Sequence, residues 1–433
     1  MTPERRLETL RRMLTHAHEI LGLEFGILLW DGTTVPADLA PDAFAVRIAD
    51  EGAVAALCRR PNAETLANLW VSGRIDLVGG TLFDLVRLRP KVRTRDIRKI
   101  LDKSLLLKAW LNFLFVGRGG PWPLEARPDE GPSDGSAAEN KKNIGYHYDV
   151  SNAFYALWLD SDMVYSCGYC TDWTSDIDRM QQDKLEHICR KLRLRPGETL
   201  LDIGCGWGAL CLYAARNYGV TTLGITLSEQ QLAYAREKAQ RLGLEDQARF
   251  ALTDYAALKG RFDKVVSVGM QEHIGLRNLP TYCATVKRIL KPGGIFLNHA
   301  ITRPAKRNAR TFRRKRPEFA LLTKYIFPGG ELDHIGNTLA ELERHGFEVH
   351  DVEGLREHYQ RTCRLWHDRL LARYKAATEE VGEEKTRLWL AYLAACSIAF
   401  ERGGVSIHQT VATPRRQGAS GLPPTRADLY RSA

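Results

Sequence analysis

The stretch Leu200-Leu201-Asp202-Ile203-Gly204-Cys205-Gly206-Trp207-Gly208 constrains this chain more than any other. An apolar run ends in an acid, three glycines alternate after it, and Ala209 opens a segment with helical spacing. A buried strand leaving a sheet at Ile203 needs glycine where the backbone turns sharply and approaches a ligand, and the helix that follows offers free amides at its start. Downstream, strands are expected at 198–203, 220–226, 248–252, 262–268 and 294–301, with helices at 209–218, 228–242 and 278–290. Alternation at this pitch specifies a doubly wound, Rossmann-like α/β fold with a parallel sheet.

Such sheets bind ligands beyond the carboxyl ends of their strands. Gly204, Gly206 and Gly208 follow the first strand, Thr226, Leu227 and Ser228 the second with Gln231 on the next helix, and Asp254 and Tyr255 the third. The spacing is Gly-x-Gly-x-Gly, and Thr226 stands where dinucleotide folds carry the acid that holds the ribose. Both features favour an S-adenosylmethionine site over a dinucleotide site; a tight turn with close helix packing is the structural alternative. The candidate cofactor residues are Tyr165, Ser166, Asp202, Gly204, Cys205, Gly206, Gly208, Thr226, Leu227, Ser228, Gln231, Tyr255 and Ala256.

With 433 residues, 44% of them hydrophobic, the chain has room for two or three globular domains. A formal charge of +10 attracts anionic partners, either nucleic acid or the acidic face of a membrane. No zinc-finger spacing or RNA-binding aromatic signature appears, so no nucleic-acid partner is expected. Nine irregularly spaced cysteines suit a reducing compartment, and the lone Cys167-x-x-Cys170 pair is not expected to hold metal. No uncharged apolar run reaches the roughly 18–20 residues a bilayer span needs, and the opening MTPERRLETLRRM lacks a signal-peptide core. A cytoplasmic protein peripherally associated with the inner face of the plasma membrane is therefore expected. Residues 1–116 read as a small α+β domain, 117–140 as a flexible linker, 141–410 as the catalytic domain and 411–433 as a polar tail, with 338–402 mainly helical. Around Trp30-Asp31-Gly32-Thr33 and Gly73 to Gly80 the first domain resembles a sterol-carrier-type lipid-binding domain. Lys91 to Phe115 reads as a basic amphipathic helix suited to a membrane surface or to a neighbouring domain. Arg303 to Arg316 holds eight basic residues and no acid, a local charge suited to anionic headgroups.

Several separated segments then agree with one family. They are Gly145-Tyr146-His147-Tyr148-Asp149-Val150-Ser151-Asn152, Met163-Val164-Tyr165-Ser166-Cys167, the glycine turn, Ser267-Val268-Gly269-Met270-Gln271-Glu272-His273-Ile274-Gly275, Leu290-Lys291-Pro292-Gly293-Gly294 and Tyr325-Ile326-Phe327-Pro328-Gly329-Gly330. In order and over about residues 140–410, the chain resembles the cyclopropane-fatty-acyl-phospholipid synthases. The resemblance implies an adenosylmethionine-dependent methyltransferase acting on unsaturated phospholipid acyl chains at an anionic membrane surface, as a homodimer. It implies methyl transfer to a lipid alkene, a cation on the acyl chain in a dry pocket, and ring closure after bound bicarbonate takes a proton. The implied bicarbonate site is Cys167, Glu272, His299, the backbone of Ile301, and Tyr359. A small anion needs donors from His, Tyr and backbone amides, and a nearby carboxylate can orient it. Gln271 stands where the family usually has Phe, and Cys170 where it has an aromatic, two changes expected to reshape the pocket wall. The alternatives are a relative that adds a methyl or methylene branch without closing the ring, and a non-catalytic lipid-binding relative.

Overall fold

The computed structural model describes residues 2–89, 92, 96, 100–124, 150–314 and 317–430. Most of the expected linker, the segment Gly145 to Asp149 and the basic positions Lys91, Arg93, Arg95, Arg98, Lys99, Lys315 and Arg316 lie outside the described residues. The chain divides into two units, Met1–Asp129 with Gly382–Ala394, and Glu130–Val381 with Ala395–Ala433.

In the first unit, α1 (Pro3–Leu21) precedes β1 (Gly26–Leu28), β2 (Thr34–Val35) and β3 (Ala45–Ile48). Helices α2 (Glu51–Arg59) and α3 (Ala63–Val71) lead to β4 (Ile75–Val78), then α4 (Leu82–Arg87) and α5 (Lys103–Leu114). The sheet runs β2-β1-β3-β4. Leu10 of α1, Ile27, Val54 of α2 and Phe113 of α5 close its core. The segment Gly382–Ala394, expected within the catalytic domain, belongs here instead. Arg387 is the reason: its buried guanidinium donates to Trp70 O at 2.7 Å and to Asp76 Oδ1 at 3.1 Å, while Trp70 Nε1 donates to Arg387 O. A buried cation needs such a full set of acceptors, and local sequence pattern cannot reveal them.

The second unit carries the doubly wound sheet: β5 (Thr199–Ile203), β6 (Thr221–Thr226), β7 (Ala248–Leu252), β8 (Phe262–Val268), β9 (Leu290–Thr302), β10 (Phe347–Gly354) and β11 (Ser406–Pro414), in the order β10-β11-β9-β8-β5-β6-β7. Its helices are α6 (Asn152–Ala156), α7 (Ile177–Leu192), α8 (Ala209–Tyr218), α9 (Glu229–Arg241), α10 (Gln271–Ile274), α11 (Leu279–Ile289), α12 (Ala309–Arg313), α13 (Pro317–Tyr325), α14 (Ile335–Arg344), α15 (Arg356–Ala372), α16 (Tyr374–Val381), α17 (Glu383–Glu401), which begins in the first unit, and α18 (Ala427–Tyr430). Alternate residues of each strand feed opposite cores, Leu201, Val265 and Phe296 on one face and Leu200, Val266 and Leu297 on the other. The parallel strands and their helices fall within a few residues of expectation. Two elements do not: β10 interrupts the stretch read as helical, and the tail expected from residue 411 begins inside β11. That strand pairs antiparallel with both β9 and β10, so its place depends on partners more than a hundred residues away for β9. From β5 the chain winds one way through β6 and β7 and the other way through β8 and β9, which opens a crevice beyond Ile203 and Val268.

Candidate active site

The glycine turn divides its work. Gly204 and Cys205 N–H groups both donate to Ile225 O at 2.9 Å, tying the turn to β6. Gly206 has φ +55° and open space within 4 Å of where a Cβ would stand, so its backbone faces the cavity uncovered. Gly208 has φ +87°, and a Cβ there would lie 2.8 Å from the Phe250 ring and 3.0 Å from Ala235. Its lack of a side chain serves helix packing, not ligand contact.

A cavity opens at this turn. Of the expected cofactor residues, Tyr165, Ser166, Asp202, Gly204, Cys205, Gly206, Thr226, Leu227, Gln231 and Tyr255 line it. Gly208, Ser228 and Ala256 do not. Ser228 caps α9, its Oγ accepting Gln231 N–H at 3.3 Å, and Ala256 N–H donates to Asp254 Oδ1 at 2.8 Å. Thr226 Oγ1 donates to Gln231 Oε1 at 2.8 Å, which fixes both side chains at the cavity wall.

Two buried charges meet the cavity. Burial pushes the Asp202 carboxyl up to about 7, against the opposing charge of Lys184, and its Oδ1 has no hydrogen-bond partner among the described residues. Burial draws the Lys184 ammonium down to about 8, against Asp160, Cys167 and Asp202, and its Nζ donates to Ser166 Oγ at 2.9 Å. Orphaned buried polar atoms are rare in folded proteins, and here they line a space rather than a packed interior.

A second cluster sits at the ends of β8 and β9. Strand β8 stops at Val268 while β9 continues, and the Ile301 N–H donates to Glu272 Oε1 at 2.6 Å. The other carboxylate oxygen is buried without a partner among the described residues, and burial raises Glu272 to about 7 despite the Ile301 hydrogen bond. His299, two residues before Ile301 on the same face of β9, is 1% exposed. Burial first, then the charges of Lys184 and Lys191, push its pKa well below the usual histidine range, so the ring is neutral. Gln409 Nε2 lies 3.2 Å from His299 Nδ1, and His299 Nε2 has no partner among the described residues. Cys167 is fully buried, with Sγ 3.2 Å from Gly168 O, and burial drives its thiol pKa far up, keeping it protonated. Tyr359 of α15 stacks near Phe400 at 4.7 Å and Trp366 at 6.0 Å, and burial raises its phenol well above the usual range, with smaller contributions from Tyr165 and Cys167. The clusters are joined through Lys184 and Tyr165. Lys184 lines the cavity and its field reaches Cys167 and His299; Tyr165 lines the cavity and packs on Trp366 at 5.2 Å.

Comparison with known proteins identifies the family. Residues 136–410 match the family model described as mycolic acid cyclopropane synthetase. The chain belongs to that family. A probable fatty acid methyltransferase of Pseudomonas putida is 38% identical over 427 residues, covering 96% of this chain and 99% of that protein. The cyclopropane-fatty-acyl-phospholipid synthase of Escherichia coli K12 is 38% identical over 266 residues, 61% of this chain and 66% of that enzyme. The mycolic acid cyclopropane synthase CmaA1, solved with SAH and CTAB, superposes with a TM-score of 0.60 at 30% identity, covering 63% of this chain and 98% of that one. This member of the cyclopropane synthetase family is thus an adenosylmethionine-dependent methyltransferase with the fold of those enzymes.

Adenosylmethionine fits the cavity that this family member presents. Gly206 leaves room for close approach, and Asp202 and Ser166 with Lys184 offer opposite charges to the two ends of a zwitterionic amino acid. Sequence reasoning missed Lys184. Its signal was a polar stripe, Gln181, Lys184, His187 and Lys191, at helical spacing on α7, which reads equally as a solvated face. Gln271, expected to reshape the pocket wall, does not line the cofactor cavity. Gln271 joins a buried chain in which Tyr282 OH donates to Asn298 Oδ1, Asn298 Nδ2 to Gln271 Oε1, Gln271 Nε2 to Thr338 Oγ1 and Thr338 Oγ1 to Asp333 Oδ2. Where a Phe would fill space, this chain bridges the sheet to α14. Cys170 likewise stays off the cavity wall, its N–H donating to His358 Nδ1 at 2.8 Å and its Sγ contacting Asp172 O.

Proposed function

We propose that this protein is a cyclopropane-fatty-acyl-phospholipid synthase, adding a methylene from adenosylmethionine across the cis double bond of an unsaturated phospholipid acyl chain. The observation that carries the reading is the pair of buried atoms Glu272 Oε2 and His299 Nε2 beside the cofactor cavity, neither with a hydrogen-bond partner among the described residues. Surplus polar capacity in a dry site calls for a small polar guest. In this reading Tyr165, Ser166, Lys184, Asp202, Gly206, Thr226, Gln231 and Tyr255 hold adenosylmethionine, whose sulfonium supplies an electrophilic methyl group. Cys167, Glu272, His299, Ile301 and Tyr359 hold bicarbonate, which supplies a base. The His299 ring and the Tyr359 hydroxyl offer donors, and Glu272 offers an acceptor that anchors the anion's own proton. The Ile301 amide, spent on Glu272 in this structure, becomes a donor to the anion when Glu272 turns. Tyr155, Trp158, Tyr165, Trp207 and Trp366 pack in tilted and edge-to-face pairs within 5.0–5.7 Å and exclude water, and their faces attract the positive charge that methyl addition leaves on the acyl chain.

Two surfaces support delivery from a membrane, each within its own unit. On α5 and its flanks, Leu107, Trp110, Leu111 and Phe115 are exposed beside Lys103 and Lys108, the composition of a helix that lies in a bilayer interface. After β9, Lys306, Arg307, Arg310 and Arg314 are exposed, each adding about 1 kcal/mol of attraction to an anionic surface. Among the described residues no helix is long and apolar enough to cross a membrane. The reading makes the protein a peripheral one on the inner face of the plasma membrane, with its N-terminal unit as a lipid-binding module and a homodimer as the working assembly. It is tested by assaying purified protein on unsaturated phospholipid vesicles in carbon-dioxide-free buffer, then with bicarbonate restored. The reading expects turnover to collapse and recover; turnover indifferent to bicarbonate contradicts it.

A further inference from the structure

Gln409 is fully buried on β11, directly opposite His299 of β9 in the antiparallel register. Its Nε2 lies 3.2 Å from His299 Nδ1. An amide nitrogen can only donate, so Nδ1 is the acceptor. The groups that face this ring are the cations Lys184 and Lys191 and the imidazole of His187, all on α7, with Glu353 of β10 opposing them. Glu353 itself is bound by His187 at 2.8 Å and by Lys191 at 2.5 Å, so its charge is already answered. A ring this buried among cations carries one proton, not two, and with Nδ1 accepting, that proton is on Nε2. In this orientation the amide oxygen Oε1 points away from the ring and has no partner among the described residues.

We propose that Gln409 is a positioning residue that locks His299 in the Nε2–H tautomer, making the ring a fixed donor to a bound anion and barring it from acting as a base. This rests on the reading of Glu272 and His299 as an anion site. It divides the chemistry of that site: the proton acceptor is left to the anion and the Glu272 carboxylate that anchors it, since the thiol of Cys167 and the phenol of Tyr359 are held protonated and His299 already carries its proton. It also explains why a glutamine stands in the middle of a sheet interior, with its Oε1 unpartnered among the described residues. The amide's cost is offset by the orientation it imposes on the ring, as outer partners of functional histidines do elsewhere.

The test is a long-range proton–nitrogen NMR spectrum of protein labelled with nitrogen-15 in the histidine rings, with His299 assigned by the signal lost in His299→Gln. The wild-type spectrum should show a neutral ring protonated on Nε2. In Gln409→Glu the ring should change to the Nδ1–H form or to imidazolium; in Gln409→Met, which keeps the volume and removes the donor, both tautomers should appear. Either variant should raise the KM for bicarbonate about 10- to 100-fold with a smaller change in kcat. A wild-type ring protonated on Nδ1, or a tautomer unchanged in both variants, overturns the proposal without any appeal to activity. An Nε2–H ring in an enzyme indifferent to bicarbonate would support the tautomer assignment and overturn the anion site, so the two failures are distinguishable.

Discussion

Replacing Glu272 by glutamine should stabilise the protein while abolishing turnover. Burial pushes this carboxyl from 4.5 up to about 7, one oxygen accepting the Ile301 N–H and the other without a partner among the described residues. An acid whose native pKa is raised is neutral in both states at low pH. As pH rises past 4.5 the unfolded chain ionises first, so native stability falls until the native carboxyl also ionises near 7. At roughly 1.4 kcal/mol per tenfold in proton affinity, the penalty is about 3 kcal/mol at about pH 8 and under about 1 kcal/mol at about pH 5. Glutamine keeps an acceptor for Ile301 N–H and carries no charge. The variant should therefore exceed the wild type by about 3 kcal/mol in urea unfolding at about pH 8, and by far less at about pH 5. The carboxyls of Asp160, raised to about 6, and Asp202, raised to about 7, titrate in both proteins and cancel in the difference. Calorimetry should find adenosylmethionine affinity nearly unchanged, because Glu272 does not line the cofactor cavity. Equal stability of the two proteins at both pH values, or a parallel loss of cofactor binding, would refute the reasoning.

Gly208→Ala should lose about 2–5 kcal/mol of stability, from a left-handed backbone and a clash with Phe250, whereas Gly206→Ala should cost about 1–2 kcal/mol and chiefly weaken adenosylmethionine binding. Unfolding and calorimetry on the two variants side by side check the contrast, and the opposite pattern contradicts the division of labour between these glycines. Lys184→Met, which removes a buried cation from the cavity wall, should weaken adenosylmethionine binding about 10- to 100-fold by calorimetry. Neutralising Lys306, Arg307, Arg310 and Arg314 to glutamine should reduce sedimentation with anionic vesicles at low salt and leave neutral vesicles unaffected; equal binding to anionic vesicles sinks the docking role of this segment.

The sheet from β5 to β9 was legible because most of its strands are apolar runs flanked by helices and the glycine turn marks where the first one ends. Local pattern carried that information. Strand β11 was not legible: Ser406-Ile407-His408-Gln409-Thr410 mixes polar and apolar residues, and only its pairing with both β9 and β10 buries Gln409, Thr410 and Thr413. The same blindness hid Lys184 and Gln409. A lysine on an amphipathic helix and a glutamine near the chain end read as solvated until the fold turns one to the cofactor cavity and the other to His299. Motif resemblance brought Glu272, His299 and Cys167 into one unit, whereas it gave no hint that Glu272 holds the Ile301 amide. Gly208, Ser228 and Ala256, expected at the cofactor, lie off the cavity wall, and their hydrogen bonds and packing serve the local backbone.

The most direct test of the central claim is mass spectrometry of an unsaturated phospholipid incubated with the purified protein and methyl-labelled adenosylmethionine, followed by ozonolysis. The expected product is an intact phospholipid heavier by one labelled methylene whose acyl chain resists ozone, because the alkene has become a ring. A labelled product that ozone still cleaves, or one carrying a methyl branch on a saturated chain, would contradict ring closure by this site.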